Sequence, residues 1–486
     1  METRLRRPLV VIVLLAVTAA VGNSQTLQTL IDNGDSSNRV DIVFLGDGYT
    51  QDDLDAGLLT GHVEQYLDYL FLSNDGIADP FPRYRDYFNV HLIPLVSNES
   101  GADRPPLNDF RDTALDATYY SRGIERLLTV NDNKANAARN AALSGTGITA
   151  DMQYVTVNDQ KYGGAGGAYA VFAGGNSFAT GLALHEVGHS FSNLADEYVS
   201  FGGDYPFGEP SEVNVTADPT GAKWQRWLGY DDPRGSNLDI GVIEGARYYP
   251  TGVYRPAQNG KMRSLDQAFH AVSREKIILD IYDHVDPLDD HTPTAGITFD
   301  PDELWVEPIA SSILVDWKVN GVPSAQNAGL SFDVALEGLS PGFHTITATA
   351  YDEIIDHAFT GGPLDLVRHD FHELTQVVQW NVVISEPIVG DYNGDGLVDL
   401  SDAAAWSTTY GSTVSLAADG NGDGIVNSID YTIWRDAYTT TTAVPAPATS
   451  LLAWMAIALI TSRPRHNESI LHGPSRFVES APGRSA

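Results

Sequence analysis

His185, Glu186 and His189, in the run Leu184-His185-Glu186-Val187-Gly188-His189-Ser190-Phe191, are the residues best spaced for chemistry in this chain. Two histidines four apart on a helix project from one face, about one turn from each other, so their imidazoles can share a single metal ion. Glu186 then lies beside them, placed to take a proton from a water that the metal activates. A catalytic zinc takes three protein ligands and keeps a fourth position for water, so one more ligand has to come from elsewhere. Asp196 and Glu197 are the nearest candidates. A five-residue motif also arises by chance on ordinary amphipathic helices. The glycine-bounded apolar run Ala168-Tyr169-Ala170-Val171-Phe172 before it, which reads as an edge strand able to pair with an extended substrate, argues for a site, as do the two carboxylates after it.

A second constellation repeats. The segment that carries Asp391, Asn393, Asp395, Asp399 and Asp402 recurs 28 residues later with Asp419, Asn421, Asp423, Asn427 and Asp430. Oxygen side chains at loop positions 1, 3, 5, 9 and 12, with glycine at 6, make a calcium loop of the EF-hand kind. The short Asp at position 12, in place of the longer Glu of sensor proteins, argues against a regulatory switch.

The elements that must position the first site follow from periodicity. Val40-Asp41-Ile42-Val43-Phe44-Leu45, Phe88-Asn89-Val90-His91-Leu92-Ile93 and Met152-Gln153-Tyr154-Val155-Thr156-Val157 read as strands. Helical spacing is present over residues 51 to 72 and again between Arg122 and Leu128. Strands alternating with helices predict an α/β sheet with helices packed on it. The tract over residues 199 to 260 lacks periodicity and predicts irregular walls of a cleft. It holds Tyr248, Tyr249 and Tyr254, any of which could hydrogen-bond a developing oxyanion, although tyrosines are more often simply packed. Met262 follows in a turn-like setting.

Composition bounds the rest. The 486 residues are enough for two or three domains, and 29 basic against 64 acidic residues give a net charge of −35, which argues against a nucleic-acid partner. Arg4, Arg6 and Arg7 precede an apolar run and small residues near Gly22, the pattern of a secretory signal over residues 1–24. With no cysteine at all, the chain fits a bacterial exoprotein, secreted or displayed at the cell surface. From about His291 short alternating strands predict an all-β, Ig-like sandwich over residues 291–386, with His344, His357, His369 and His372 structural or solvated. Residues 441–486 hold a Pro-rich linker, a ten-residue apolar run too short to span a bilayer comfortably, and a basic tail, which suits a sorting segment or a weak membrane anchor.

The motif His185-Glu186-x-x-His189 with Asn193-Leu194-Ala195-Asp196-Glu197-Tyr198 resembles the zinc endopeptidases of the immunoglobulin A peptidase family. Asp41 to Tyr49, Ser97 to Asp103, Tyr162-Gly163-Gly164 and Tyr254-Arg255-Pro256 are similar to it in the same order. The resemblance implies a zincin-like α/β catalytic domain over residues 25–290 and, by similarity to metzincins, a Met-turn at Met262 beneath the metal. Ser192 and Ala195 stand where the metzincin consensus has glycine and a third histidine. A carboxylate must therefore serve as third ligand, Asp196 in preference to Glu197, which could instead orient a ligand. Tyr254 is carried as the oxyanion or substrate contact. The calcium repeats, with helices starting at Ala403 and Tyr431, resemble a type I dockerin over residues 387–440, which implies a small α-helical calcium-binding module, a cohesin-bearing partner and a place in polysaccharide catabolism. The expectation is a secreted endopeptidase acting on protein or peptide substrates with zinc and Glu186 as base and acid. The alternative is an inactive, surface-displayed scaffold that uses its Ig-like and dockerin-like modules.

Overall fold

Val40–Asp47 is buried along its whole length and carries apolar residues to both faces, as the central strand of a covered parallel sheet must. The computed structural model describes residues 26–354, 366–368 and 374–440. Strands β1 (Gln28–Ile31), β2 (Val40–Asp47), β3 (Phe88–Ile93), β4 (Met152–Val157), β5 (Gly164–Ala165) and β6 (Ala170–Ala173) make one sheet in the order β1-β3-β2-β4-β6-β5. β2, β3, β4 and β6 are parallel, and β1 and β5 close the edges antiparallel.

Helices α1 (Gln51–Asp55), α2 (Leu58–Leu72), α3 (Asp132–Leu143) and α4 (Ala179–Ser190) cover this sheet. Alternation along β2 divides it between two cores. Ile42 and Phe44 pack with Leu59, Val63 and Tyr66 of α2 and with Leu182, Ala183 and Val187 of α4. Val43 and Leu45 pack with Ala135 and Ala138 of α3.

Three local expectations shift. The helical spacing over residues 51 to 72 is interrupted, because Gly57 adopts φ 73° and separates α1 from α2. Between Arg122 and Leu128 there is no α-helix but a loop closed by pairing of Thr118 with Thr129, holding one 3-10 turn at Ser121–Gly123. The helix comes later, at α3, whose buried face consists of two alanines that apolar spacing hardly registers. Finally, β6 is an inner strand, and β5 stands outside it with Leu127 bridged to Gly164.

After α4 the chain is mostly irregular, but it includes the hairpin β7 (Ile243–Ala246) and β8 (Tyr249–Arg255) before α5 (Ala271–Tyr282). The β-rich part comprises β9 (Leu288–His291), β10 (Ile297–Phe299), β11 (Glu303–Pro308), β12 (Ile313–Val319), β13 (Val322–Pro323), β14 (Ser331–Asp333), the short helix α6 (Val334–Glu337), β15 (Gly342–Asp352) and β16 (Thr375–Ile384). These form a five-stranded sheet β10-β16-β15-β12-β13 and a three-stranded sheet β14-β11-β9. Trp317 stacks on Trp380 at 5.6 Å and meets Phe332 of the smaller sheet at 5.4 Å. One continuous core joins this part to the α/β sheet. At the seam, the buried Asp352 carboxylate accepts hydrogen bonds from Tyr84 (2.9 Å), Tyr282 (2.8 Å) and Arg83 (2.7 Å).

The chain divides into two compact units, up to Ser385 and from Glu386. In the second, α7 (Leu400–Thr409) and α8 (Ser428–Thr440) follow the two repeat loops. The 28-residue repeat is visible in the contacts: Trp406 donates to the Asn427 carbonyl (2.7 Å), and Trp434 to the equivalent Asp399 carbonyl (2.8 Å). Gly420 breaks the symmetry, since a Cβ there would stand 2.4 Å from the Tyr392 hydroxyl. No helix among the described residues is long and apolar enough to cross a membrane. Residues 1–24, expected to be a secretory signal, the C-terminal apolar run, and His357, His369 and His372 lie outside the described residues.

Candidate metal centre

Helix α4 is buried on nearly every side, and its glycines let other segments come close. A Cβ on Gly188 would stand 2.6 Å from Met262 Sδ, and one on Gly181 would stand 3.1 Å from the Leu265 carbonyl. The segment holding Met262, itself fully buried, therefore lies directly against the helix next to His189. The Lys261 carbonyl accepts from His185 Nδ1 at 3.0 Å. Beyond the helix, Asn193 takes φ 48°, a left-handed residue that reverses the chain as C-terminal caps do. The reversal brings the Leu194 carbonyl to His189 Nδ1 at 2.6 Å.

Both Nδ1 atoms thus donate to carbonyl oxygens, which leaves both Nε2 atoms as lone pairs. These face each other at 3.2 Å, and Asp196 Oδ1 stands 3.1 Å from the first and 3.3 Å from the second. Oδ1 is buried without a hydrogen-bond partner. Three electron-rich atoms in so small a space repel one another unless a cation lies between them. Tetrahedral bonds of about 2.0–2.1 Å place their donor atoms about 3.3 Å apart, and these three meet that spacing. His185, His189 and Asp196 are the residues that could hold a metal ion. Without a metal, a proton on His189 Nε2 is the cation between them. Burial opposes charge on His189, but the Asp196 carboxylate outweighs it and raises the imidazole to about 9. Burial likewise opposes charge on Asp196, yet His185 and His189 hold its carboxyl far below the usual range.

Glu186 is buried beside the pair, and burial raises its pKa while the histidines partly offset the rise. Gly166 lets the chain between β5 and β6 pass close over it, for a Cβ there would be 2.6 Å from Glu186 Oε2. Glu197 does not join the cluster. Adjacent side chains diverge in non-helical chain, and its carboxylate accepts instead from Asn214 (2.7 Å) and pairs with His270 (2.8 Å), while its N–H donates to the Met262 carbonyl (2.9 Å).

Of the three tyrosines open from sequence, Tyr248 reaches the centre: its hydroxyl donates to Asp196 Oδ2. Tyr254 sits in β8, its main chain paired with Thr216, and does not line the cleft. Tyr248 shares a two-residue hairpin turn with Arg247, at φ 75° and 45°. Such turns favour Asn and Gly, and bulky residues there cost on the order of 1–2 kcal/mol each. The turn is secured where it matters, with Arg247 N–H on the Asp196 carbonyl (2.9 Å) and its guanidinium on Glu212 (3.0 Å).

The cleft over this centre encloses about 510 Å³ and is lined also by Tyr162, Tyr198, Arg122, Arg126 and Arg263. Sequence reasoning missed the arginines, since the helical reading of residues 122 to 128 gave them no common face with a site sixty residues later.

In the second unit, Asp391 and Asp419 accept N–H groups of their own loops, including Gly396 and Gly424 at 2.8 and 2.7 Å. Asp402 and Asp430 are fully buried and accept from the residues that follow position 1, Tyr392 at 2.7 Å and Gly420 at 2.9 Å. Asn393 donates to Asp395 (2.8 Å), and Asn421 to Asp423 (2.9 Å). Asp399 caps α7 through Ser401 N–H, and Asn427 bonds Ile429 N–H, both at 2.7 Å.

Residues 28–236 match the family model described as IgA Peptidase M64, and residues 389–435 match the Dockerin type I domain. No curated protein matches the chain. The first segment is therefore similar to a family of peptidases, and it contains α4 and Asp196. It stops short of Tyr248 and Met262. The second segment is similar to the dockerin type I domain and contains both repeat loops.

Proposed function

We propose that the chain, whose residues 28–236 match a peptidase family model, is a secreted zinc endopeptidase. The observation that carries this reading is the convergence of two imidazole lone pairs and one orphaned carboxylate oxygen within 3.1–3.3 Å, next to a buried glutamate. A donor set of two nitrogens and one oxygen suits zinc, which when bound polarises a scissile carbonyl and acidifies water. Glu186 accepts the proton of the attacking water and returns it to the leaving amine, for which a raised pKa is apt. Tyr248 keeps Asp196 oriented, and β5, at the sheet edge beside the cleft, offers main chain to an extended substrate.

Residues 25–290 act in this reading as a zincin-like catalytic domain, with Met262 as the Met-turn under the metal. Residues 291–386 act as an Ig-like sandwich, supported by the Trp317, Trp380 and Phe332 packing between two sheets. Residues 387–440 bind two calcium ions through Asp391, Asn393, Asp395, Asp399 and Asp402 and through Asp419, Asn421, Asp423, Asn427 and Asp430, and dock on a cohesin. Residues 1–24 direct secretion to the exterior of a bacterial cell, and residues 441–486 give a weak attachment.

The test is Glu186→Gln. This variant should bind one zinc per chain by elemental analysis, as the wild type does, yet release peptides from a protein substrate at less than about a hundredth of the wild-type rate. A variant that cleaves normally, or a wild type indifferent to chelation, would overturn the reading.

A further inference from the structure

The loop from Tyr120 to Leu127 brings two arginines to the cleft, and neither is used by anything already described. Arg122 and Arg126 both line it. Neither has an ion-pair or hydrogen-bond partner for its side chain among the described residues. That is unusual in a chain with 64 acidic and 29 basic residues. Several other arginines are held by acids: Arg104 bonds Asp159 at 2.8 Å, Arg247 bonds Glu212 at 3.0 Å, and the buried Arg274 bonds Asp232 at 2.7 Å.

The backbone that holds them is itself unusual. Tyr120, Arg122 and Gly123 adopt φ of 61°, 52° and 76°. Left-handed non-glycine residues persist where surrounding structure insists on them, most often at functional sites. Here Thr118 pairs with Thr129, and Gly164 N–H donates to the Arg126 carbonyl at 3.2 Å, which fixes the loop on β5. Arg126 is near enough to act electrostatically on Glu186, Tyr162 and Tyr198, three other residues of the cleft.

We propose that Arg126, with Arg122, binds a carboxylate of the peptide substrate, so that the enzyme selects peptides carrying an acidic side chain or a free C-terminus close to the scissile bond. The assignment rests on the metallopeptidase reading. Its physical basis is that guanidinium presents a planar fork matched to carboxylate oxygens. A chain of net charge −35 repels acidic peptides at a distance, and two unpaired cations at the cleft reverse that sign where it counts. Arg263 lines the same cleft but is engaged, donating to the Glu197 carbonyl at 3.2 Å, and is not part of the assignment.

The experiment is a digest of matched peptide libraries by the full-length protein, with Asp and Glu replaced by Asn and Gln in one arm and the C-terminus amidated in another. Wild type should lose about tenfold or more in kcat/KM, chiefly through KM, in whichever arm removes the recognised carboxylate. The two arms distinguish a side chain from a terminus. The double variant Arg122→Gln with Arg126→Gln should cleave acidic and neutral libraries equally, with zinc content and Tm unchanged. Arg126→Glu should turn the preference toward lysine-containing peptides. Cleavage by wild type without any acidic preference overturns the assignment alone, as does a preference that survives in the double variant. A wild type that binds zinc but cleaves no library in any arm overturns the peptidase reading and the assignment with it.

Discussion

In the proposed zinc site a single hydroxyl sets how Asp196 would meet the metal. Tyr248 holds Oδ2, which leaves Oδ1 facing the two Nε2 atoms. Partners of metal ligands typically matter ten- to a hundredfold in affinity. Tyr248→Phe keeps the ring against Tyr198 and Phe201, at 5.2 and 5.5 Å. It should therefore weaken zinc binding by about tenfold in a chelator competition while the metal-free protein melts as before. Lys261 supplies a second residue-level expectation. Its Nζ is buried against the Tyr69 hydroxyl (3.1 Å) and the Leu265 carbonyl (2.6 Å), and burial pushes its pKa from 10.5 down to about 7. Between those values the unfolded chain binds more protons than the folded one, so stability rises with pH from about 7 toward 10.5, by about 1.4 kcal/mol per pH unit at most. Lys261→Met should remove that rise, which denaturant titrations at pH 7 and 9.5 would measure.

At the scale of elements, the centre is assembled from three pieces that a helix alone could not bring together. α4 supplies both imidazoles and Glu186, the reversal at Asn193 returns Asp196, and the segment of Met262 closes against Gly188. The small dockerin unit is held differently. Among the described residues its core is Tyr392, Val398, Ala418, Val426 and Trp434 with a few partly buried neighbours. In the proposed reading calcium binds the unit's acidic loops, and its binding energy would add directly to folding energy. Chelation by EGTA should melt α7 and α8, lowering the helical circular dichroism of the isolated residues 386–440 and restoring it on adding calcium. Unchanged spectra would count against the calcium assignment.

At the scale of the whole molecule, the β-rich part is no detachable spacer in its packing. Its core is continuous with that of the α/β sheet, and Asp352, fully buried, is the common acceptor for Tyr84, Tyr282 and Arg83. Removing one member of such a buried charged network costs about 3–5 kcal/mol. Asp352→Ala should lower the melting temperature of the peptidase region itself. A truncation after residue 290 should be poorly soluble, since it uncovers Tyr84, Tyr87 and Tyr282, which are buried there. Recovery of a stable, active 25–290 fragment would contradict this.

The sequence by itself determined what depends on neighbours along the chain. Two histidines four apart share a helix face by backbone geometry, strands such as β2 announce themselves by apolar runs, and a 28-residue repeat of Asp, Asn and Gly writes out two loops. Even there the loop at Arg122 departs from the expected helix, because the spacing of Ile124, Leu127 and Leu128 imitates a helical face while the backbone turns left-handed. Only the tertiary structure decided which carboxylate faces the imidazoles, that Tyr248 and not Tyr254 touches it, and that two arginines from a distant loop look into the same cleft. Those choices depend on how segments sixty residues apart are packed, and no local period in a chain encodes the direction from which a remote segment arrives.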